Sequence, residues 1–387
     1  MKNSINWFAV IIIAISLQSI LTIQLMSDYA ATTFQADEGL FGAIAGIETA
    51  GAALTSLLIF LFPRLRNRPL FTGAAVSLFV ASVFCLWVTD ITPFLILRFI
   101  MGACAGVLCS ITLYLVSYSK EPVRDMGAAM AVQAAALIAT YLAVPQLSLF
   151  FDNAFIIVIA IWFSICAVVG LMIPKALFLS APPTVEESDS LHKSKKFSVS
   201  TYWFFIATVL LYSCHGAYNV FITEVASLHS ISLAQAGQSL SLGAVAGFFA
   251  GILAGASPRF ITPLTALLIV LSTMLIGTSL LLADSVSLLL FKLSVISYEF
   301  GWTYAFPYLM LTAYRLNDRG DAPSAVLFLL GIGMTIGAVF VGLLAEKIGV
   351  ALALNIWVAV AGTIAVIVLL RVGSFYTFHV RNNKISL

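Results

Sequence analysis

A small set of charged and aromatic residues interrupts the tenth of twelve long apolar runs in this chain. The residues follow one another at steps of seven, three and four, so a helix places them close to one face. They are Lys292, Glu299, Trp302 and Phe306. An ionised side chain in the middle of a bilayer costs about 2.5–3.5 kcal/mol on insertion scales, so this face lines protein or water rather than lipid.

The acid and the base of this face have distinct predicted roles. Lys292 and Glu299 are two helical turns apart, roughly 10 Å along the axis, which is too far for a direct short ion pair. Either they bridge through rotamers or water, or each has another partner. We favour Glu299 as a protonation site and Lys292 as a contact for an anion. Tyr298 and Trp302 add ring surface and hydrogen-bonding groups for a solute.

The seventh apolar run carries a second polar group within one or two helical turns. It consists of Tyr212, His215, Tyr218 and Asn219. An unperturbed histidine has a pKa of about 6.5, which suits proton coupling, but a histidine in an apolar helix can equally be a hydrogen-bonded core residue. His215 is therefore a candidate proton carrier, and Tyr218 and Asn219 are candidate solute contacts.

One arginine lies deep within the fourth run. Arg98 is about two turns from one end of that run, and Glu48 of the second run and Asp28 at the end of the first lie at comparable depth. Arg98 either pairs with an acid and fixes the helix bundle, or binds a solute anion. Glu48 and Asp28 are its candidate partners and candidate proton-coupling residues, although Asp28 can instead be a solvated residue at a helix end.

The remaining polar side chains indicate hydrogen bonding rather than catalysis. The amides of Gln18 in the first run and Gln133 in the fifth can bond a solute or another helix. All five cysteines lie within apolar runs without metal-ligand spacing, which indicates packing. The sequence contains no HExxH, GxSxG or GxxxxGK[ST] pattern. We therefore expect no metal site, no cofactor, no enzymatic activity and no ATP-driven step.

The elements that hold these residues are predicted to be membrane-spanning helices. Of the 387 residues, 61% are hydrophobic and only 9% are charged, and the mean hydropathy is +1.07. A transmembrane helix needs roughly 20 mainly apolar residues, whereas barrel strands need about 10 with period-two alternation, which is absent here. The twelve runs begin near Trp7, Leu40, Leu70, Phe94, Gly127, Ala154, Tyr202, Ala236, Leu264, Ser285, Ala325 and Val350.

Basic residues predict the orientation, because positively charged loops stay in the cytoplasm. All Lys and Arg except Arg98, Lys292 and Lys347 fall on one side, which places 16 of the 19 there. We expect a multi-pass protein of the cell's inner (plasma) membrane with both termini cytoplasmic. The first run is too long for a signal peptide and lacks a small-residue cleavage site, so we predict that it is retained. The net charge of +2 gives no indication of nucleic-acid binding.

The two halves of the chain repeat. Trp7 is echoed by Trp203, 196 positions later, and Arg98 by Lys292, 194 positions later. The only extended polar segment separates the sixth run from the seventh. We therefore predict an N-terminal six-helix bundle at 1–173, a cytoplasmic loop at 174–201 and a C-terminal six-helix bundle with a short cytoplasmic tail at 202–387.

The layout and two motifs resemble the major facilitator superfamily. Residues 97–102 read LRFIMG, similar to the family's fourth-helix pattern of Arg, two residues, Gln and Gly, with Met101 in place of Gln. Residues 63–69 read PRLRNRP and resemble the family's basic loop between helices 2 and 3, with Pro63 in place of Asp. The resemblance implies an all-α polytopic membrane protein of 12 transmembrane helices in two pseudo-symmetric six-helix bundles, with helices 1, 4, 7 and 10 around a central cavity.

Together these features predict a secondary active transporter. A small organic anion would bridge Arg98 and Lys292, one from each half, while protonation of Glu299, Glu48 or His215 changes the cost of occluding the site. The protein would work as a monomer by proton-coupled alternating access, as a symporter or an antiporter. The alternative is a proton-driven efflux antiporter for drugs or metabolites, although residues 133–137, QAAAL, lack the glycine-rich signature of such antiporters.

Overall fold

All regular secondary structure is helical in the part of the chain that the computed structural model describes, residues 7–35, 38–117, 119, 121–175, 178, 199–257, 260–261, 263–283, 285–316 and 321–383. The helices form twelve successive spans. In the first half they are α1a (Trp7–Ser16), α1b (Gln18–Leu21), α1c (Ser27–Phe34), α2 (Glu38–Leu61), α3 (Arg68–Phe84), α4 (Ile91–Ser117), α5 (Pro122–Leu147) and α6 (Ala154–Met172). In the second half they are α7 (Val199–Leu228), α8 (Leu233–Ala256), α9 (Pro263–Ser279), α10 (Leu288–Leu316), α11 (Asp321–Ile348) and α12 (Val350–Asn383).

Local signals explain where the spans begin. Asn67 caps α3 by accepting a hydrogen bond from the backbone N–H of Leu70, and Ser232 and Gln235 form a reciprocal capping box at the start of α8. Every helix start lies within five residues of the start of its apolar run. The predicted all-α polytopic fold is confirmed. The predicted loop at 174–201 falls largely outside the described residues, and α7 begins at Val199, inside its predicted end.

The first span is not one continuous helix. The backbone leaves helical geometry at Leu17 and again at Thr22, and a 3₁₀ turn at Ile23–Met26 separates α1b from α1c. Gln18 donates its side-chain N–H to the carbonyl of Ala14, and the Thr22 hydroxyl donates to the carbonyl of Gln18. Such bonds from polar side chains to backbone carbonyls bend helices. The result is a four-residue helix, α1b, between two breaks.

The same packing pairs recur in the two halves. In the first half α2 packs on α4, α3 on α6 and α1a on α5, and in the second half α8 packs on α10, α9 on α12 and α7 on α11. Each partner has moved six spans along the chain, which is the packing expected of a duplicated bundle. The repeat read from the sequence is therefore present in the helix contacts.

The two halves meet mainly through α5 against α8 and α2 against α11. At the first contact the backbones nearly touch, because a Cβ placed on Gly127 would lie 2.7 Å from the Cα of Gly255. At the second, a Cβ on Gly331 would lie 2.7 Å from the Cβ of Ala53. Small residues allow this close approach between helices.

Eight helices of the described chain are long and apolar enough to cross a membrane by length and composition alone. They are α4 to α9, α11 and α12. Three shorter apolar helices come from the first three spans, at Trp7–Ser16, Gly46–Leu61 and Arg68–Phe84. The remaining span is α10, which carries the charged and aromatic residues Lys292, Glu299, Trp302 and Phe306.

Candidate functional site

A small cavity lies between the two halves. Its volume is about 20 Å³, enough for roughly one water molecule. Both halves contribute to its wall: Leu17, Ile20, Leu21, Thr49 and Ala52 from the first half, and His215, Trp302, Leu327, Leu330, Gly331 and Met334 from the second. The wall is mostly aliphatic, so an apolar group fits it better than a strongly hydrated one.

A ladder of parallel rings extends from this cavity between α7 and α10. Trp302 stacks on His215 with ring centroids 3.8 Å apart, and Tyr298 stacks on Tyr218 with centroids 3.6 Å apart. The His215 and Tyr298 rings are also parallel, with centroids 6.4 Å apart. The rings therefore alternate between the two helices, as Trp302, His215, Tyr298 and Tyr218. These stacked contacts hold α7 and α10 against each other.

His215 has one nitrogen engaged and one without a partner. The side-chain N–H of Asn219 lies 2.9 Å from Nε2 and donates to it. Nδ1 then carries the proton, and no described group bonds it although the residue is only 3% exposed. His215 also lines the cavity, so a solute or water oxygen placed there can accept this bond. The structure thus brings together two predicted site residues, His215 and Asn219.

A buried ion pair lies in the first half. The guanidinium of Arg98 contacts the carboxylate of Glu48, and its Nη1 donates a hydrogen bond of 2.6 Å to the hydroxyl of Ser19. Ser19 in turn donates to Oε2 of Glu48 over 3.2 Å. The exposed fractions of Arg98 and Glu48 are 0% and 1%. Of the two acids predicted as partners of Arg98, Glu48 is the one paired, whereas the side chain of Asp28 lies outside the described residues.

The ion pair stands directly behind the cavity wall. Ser19 belongs to α1b, whose neighbouring residues Ile20 and Leu21 line the cavity. Glu48 precedes Thr49, which lines the same cavity from α2. Arg98 retains an unused donor, because its Nε has no partner among the described residues. The residues that line the cavity in α1b and α2 are therefore direct chain neighbours of residues that form the buried charged cluster.

The acid and base of α10 are each without a hydrogen bond or ion pair among the described residues, and both are partly buried. Glu299 packs beside α8, since a Cβ on Gly243 would lie 3.0 Å from its Cγ. Its carboxylate also interacts electrostatically with Tyr141 of α5 and Tyr218 of α7. Lys292 lies ten residues before Trp302, about 15 Å along the helix, and therefore away from the cavity.

The other predicted contacts are held by protein groups. Gln18 donates to the backbone carbonyl of Gln133 over 3.3 Å, which joins α1b to α5. Tyr218 shares a hydrogen bond of 3.3 Å with Ser294. The hydroxyl of Tyr298 is buried without a partner among the described groups, as is Oε1 of Gln18. Together with Nδ1 of His215 and Nε of Arg98, these two atoms are buried polar atoms of the predicted site that no described group bonds.

Sequence reasoning missed two kinds of residue. Ser19 is one of a few small polar residues in an apolar run, and its position next to Gln18 was the only signal available for it. The cavity residues of α11, such as Leu330 and Met334, gave no signal because aliphatic residues fill every span. No group of three or more potential metal ligands occurs among the described residues.

These features define the class of the protein. Twelve spans in two repeated bundles, with buried charges beside a cavity at their interface, are the architecture of a secondary membrane transporter. The sequence model of the Major Facilitator Superfamily matches residues 7–325. The chain therefore belongs to the Major Facilitator Superfamily, as its resemblance predicted.

Solved structures with this fold confirm the architecture. The chain is similar to the Major Facilitator Superfamily transporter FucP in an outward conformation, with a TM-score of 0.69, 15% identity and coverage of 95% of this chain and 98% of that one. It is similar to the human organic anion transporter MFSD10 (TETRAN), with a TM-score of 0.69, 13% identity and coverage of 94% and 97%. It is also similar to a variant of the E. coli fucose:proton symporter FucP, with a TM-score of 0.65, 14% identity and coverage of 95% of this chain and 98% of that one. No curated protein sequence matches the chain. Likeness at this identity establishes the fold and leaves the solute to be argued from the site.

Proposed function

We propose that the protein moves a small organic anion across the cell's inner (plasma) membrane by proton-coupled alternating access. The observation that carries the proposal is the buried pair of Arg98 and Glu48 beside the cavity. A solute carboxylate and the Glu48 carboxylate compete for the same guanidinium. We further propose that both termini are cytoplasmic, that the bundles comprise 1–173 and 202–387, and that the protein works as a monomer.

Charge balance gives the coupling. The pair of Arg98 and Glu48 has no net charge, and a monovalent anion that enters beside it adds one negative charge in a region shielded from water. A proton on Glu48 cancels that charge and releases Arg98 to bind the anion. The loaded site is then neutral, so it can be occluded at low cost. One proton accompanies one anion in this scheme.

The second half supplies further contacts. In this scheme Lys292, which has no ion-pair partner among the described residues, attracts the anion before it reaches the cavity. Glu299, an unpaired acid one turn from Trp302, is a second proton site. The unused N–H of His215 can orient the bound solute at the cavity, with Trp302 and the aliphatic wall around its apolar part.

One alternative is favoured by a specific observation. The cavity is lined by aliphatic and aromatic side chains, and Glu299 is an acid without a cation beside it in the described chain. A lipophilic cation would stack on the ring ladder and neutralise Glu299. This arrangement supports a proton-driven efflux antiporter for drugs or metabolites.

The experiment is transport by purified protein in proteoliposomes with an imposed pH gradient. Uptake of labelled short-chain carboxylates should accelerate when the outside is acidic, and it should stop in a double variant, Arg98→Gln with Glu48→Gln, which removes both charges together. If the vesicles instead move lipophilic cations against protons, and the double variant still does so, the efflux alternative is correct. Glu121→Gln, in an ion pair with Arg124 of which about a third of each side chain is exposed, is the matched control and should transport normally.

A further inference from the structure

We infer that Ser19 is a positioning residue that transmits the charge state of the Glu48 and Arg98 pair to α1b, and through α1b to the wall of the cavity. The inference rests on the proposed function for the identity of the coupling step. The geometry on which it stands is the convergence of α1b, α2 and α4 on one hydroxyl.

The hydroxyl of Ser19 is bonded on both sides. It accepts from Nη1 of Arg98 over 2.6 Å and donates its single proton to Oε2 of Glu48 over 3.2 Å. Both bonds involve a charged group and are therefore stronger than bonds between neutral groups. Ser19 is fully buried, so water does not compete for either bond. While Glu48 is ionised, α1b is fixed to both α2 and α4.

The segment that Ser19 holds is weakly supported by its own backbone. α1b has only four residues between the breaks at Leu17 and Thr22. A helix of one turn contributes little stability by itself, since nucleation is unfavourable and few bonds are formed. Tertiary bonds therefore decide its position: those of Ser19 on one side and that of Gln18 to the carbonyl of Gln133 on the other.

The opposite side of this segment forms part of the cavity wall. Leu17, Ile20 and Leu21 face the cavity, whereas Ser19 between them contacts the ion pair. When Glu48 gains a proton, the ion pair is lost and its bond with Ser19 becomes an ordinary neutral one. The segment is then held less firmly to α2, while the hydrogen bond from Arg98 still joins it to α4, and the cavity can widen on the side of α1b.

The groups that face Glu48 come from α1b, from α4 and from the residue directly after α3. They are Ser19, Arg98 and Cys85, and the Cys85 thiol is within electrostatic range of both charges. Cys85 is fully buried and its thiol contacts the sulfur of Met101 at 3.8 Å. Among these described neighbours, the proton that changes the contacts of Ser19 is therefore the one on Glu48.

The test measures the accessibility of the cavity wall without any solute. In full-length protein whose five native cysteines are replaced, single reporters Leu21→Cys and Leu330→Cys are alkylated with a small maleimide in proteoliposomes. Both positions line the cavity, but Leu330 belongs to α11 and has no bond to the ion pair. The ratio of the two rates cancels the direct effect of pH on thiol reactivity.

With Ser19 present, the ratio for Leu21→Cys over Leu330→Cys should rise at least about threefold from pH 8 to pH 5.5, as the population with α1b released grows. In Glu48→Gln it should be high at both pH values. In Ser19→Ala the pH dependence should disappear, and in Ser19→Thr, which keeps the hydroxyl, it should return. A ratio that still rises in Ser19→Ala, or that does not rise with Ser19 present, overturns the inference.

Failure of the inference and of the proposed function are distinguishable. Proton-driven carboxylate uptake is measured on the same vesicles. If uptake is proton-driven but the alkylation ratio does not change with pH, the inference about Ser19 is wrong and the proposed function is still supported. A pH-dependent ratio that needs Ser19, in vesicles that take up no carboxylate, supports the role of Ser19 and removes the proposed solute.

Discussion

His215 of α7 lies flat against Trp302 of α10, with ring centroids 3.8 Å apart and ring planes 8° apart. The contact sits at the cavity and is the first step of a ladder that continues through Tyr298 and Tyr218. Because the rings interleave, neither helix can slide along the other without separating stacked faces. We expect α7 and α10 to move together when the two halves rock.

Replacement of Trp302 should therefore weaken both stability and transport. Trp302→Ala removes the stack on His215 and the edge contact with Tyr212, whose centroid is 4.9 Å away. Stacking of this kind contributes about 0.5–1.5 kcal/mol beyond the area it buries. Thermal unfolding in detergent and initial uptake rates measure the two losses. Trp302→Phe should retain most of the stability, and Trp203→Ala, at a residue 46% exposed, is the matched control. Equal losses in both Trp→Ala variants would contradict a special role for the ladder.

Removal of one charge from the buried pair should destabilise the protein more than removal of both. Glu48→Gln leaves Arg98 buried without its counter-charge, which costs about 3–5 kcal/mol in comparable buried pairs. Adding Arg98→Gln to it should restore part of that loss. Thermal unfolding of the two variants beside the unmodified protein measures the difference.

The matched control for that prediction is a pair near the protein surface. Arg124 and Glu121 are in contact at 2.6 Å, but about a third of each side chain is exposed. Exposed pairs contribute roughly 0–1 kcal/mol, so Glu121→Gln should change unfolding little. If the double variant at Arg98 and Glu48 proves no more stable than Glu48→Gln alone, the two residues do not form an isolated pair.

Glu299→Gln should separate exchange from accumulation. The amide keeps the shape of the side chain beside Gly243 but cannot bind or release a proton. Exchange of internal for external solute should continue, whereas uphill accumulation driven by a pH gradient should fall to the background level. Counterflow and gradient-driven uptake in the same vesicles measure the two activities. Glu224→Gln, at an exposed acid of α7, should leave both unchanged. Accumulation that persists in Glu299→Gln shows that Glu299 does not carry the coupling proton.

The contact of α5 with α8 should tolerate no added side chain. Gly127→Ala places a Cβ 2.7 Å from the Cα of Gly255 and 2.8 Å from the carbonyl oxygen of Gly251, so the two helices must separate. Transport should slow and the midpoint of thermal unfolding should fall. Gly237→Ala is the control within α8, because nothing lies within 4 Å of its added Cβ, and it should be neutral or slightly stabilising. Similar effects of the two substitutions would show that the close approach is unimportant.

The sequence predicted the spans well because bilayer thickness fixes their length and apolar composition fixes their position. Repeated landmarks such as Trp7 and Trp203 predicted a duplication, and the paired helix contacts of the two halves agree with it. The break of α1 at Leu17 was not predictable in the same way. It depends on which backbone carbonyls Gln18 and Thr22 bond, and those bonds compete with helix geometry only in the folded bundle.

The sequence indicated which residues belong to the candidate site, but it was less informative about which of their side chains contact one another. Depth in the bilayer gave both Glu48 and Asp28 as candidate partners of Arg98, and the structure pairs Arg98 with Glu48. The stack of His215 on Trp302 needs the relative rotation of α7 and α10, which sequence periodicity leaves free. The roles of all the predicted site residues in solute binding and proton coupling stay predictions.

Arg98 and Glu48 neutralise each other within the first half of the chain, and this has a consequence for membrane insertion. Ser19 and Glu48 lie in the first two spans and are already inserted when the fourth span brings Arg98 into the membrane. The arginine thus meets its counter-charge before any of the second half has been synthesised. In the described part of the second half, Lys292 and Glu299 do not pair with each other. We expect the N-terminal fragment to be stable when it is expressed alone, and to serve as the template on which the C-terminal fragment completes its assembly.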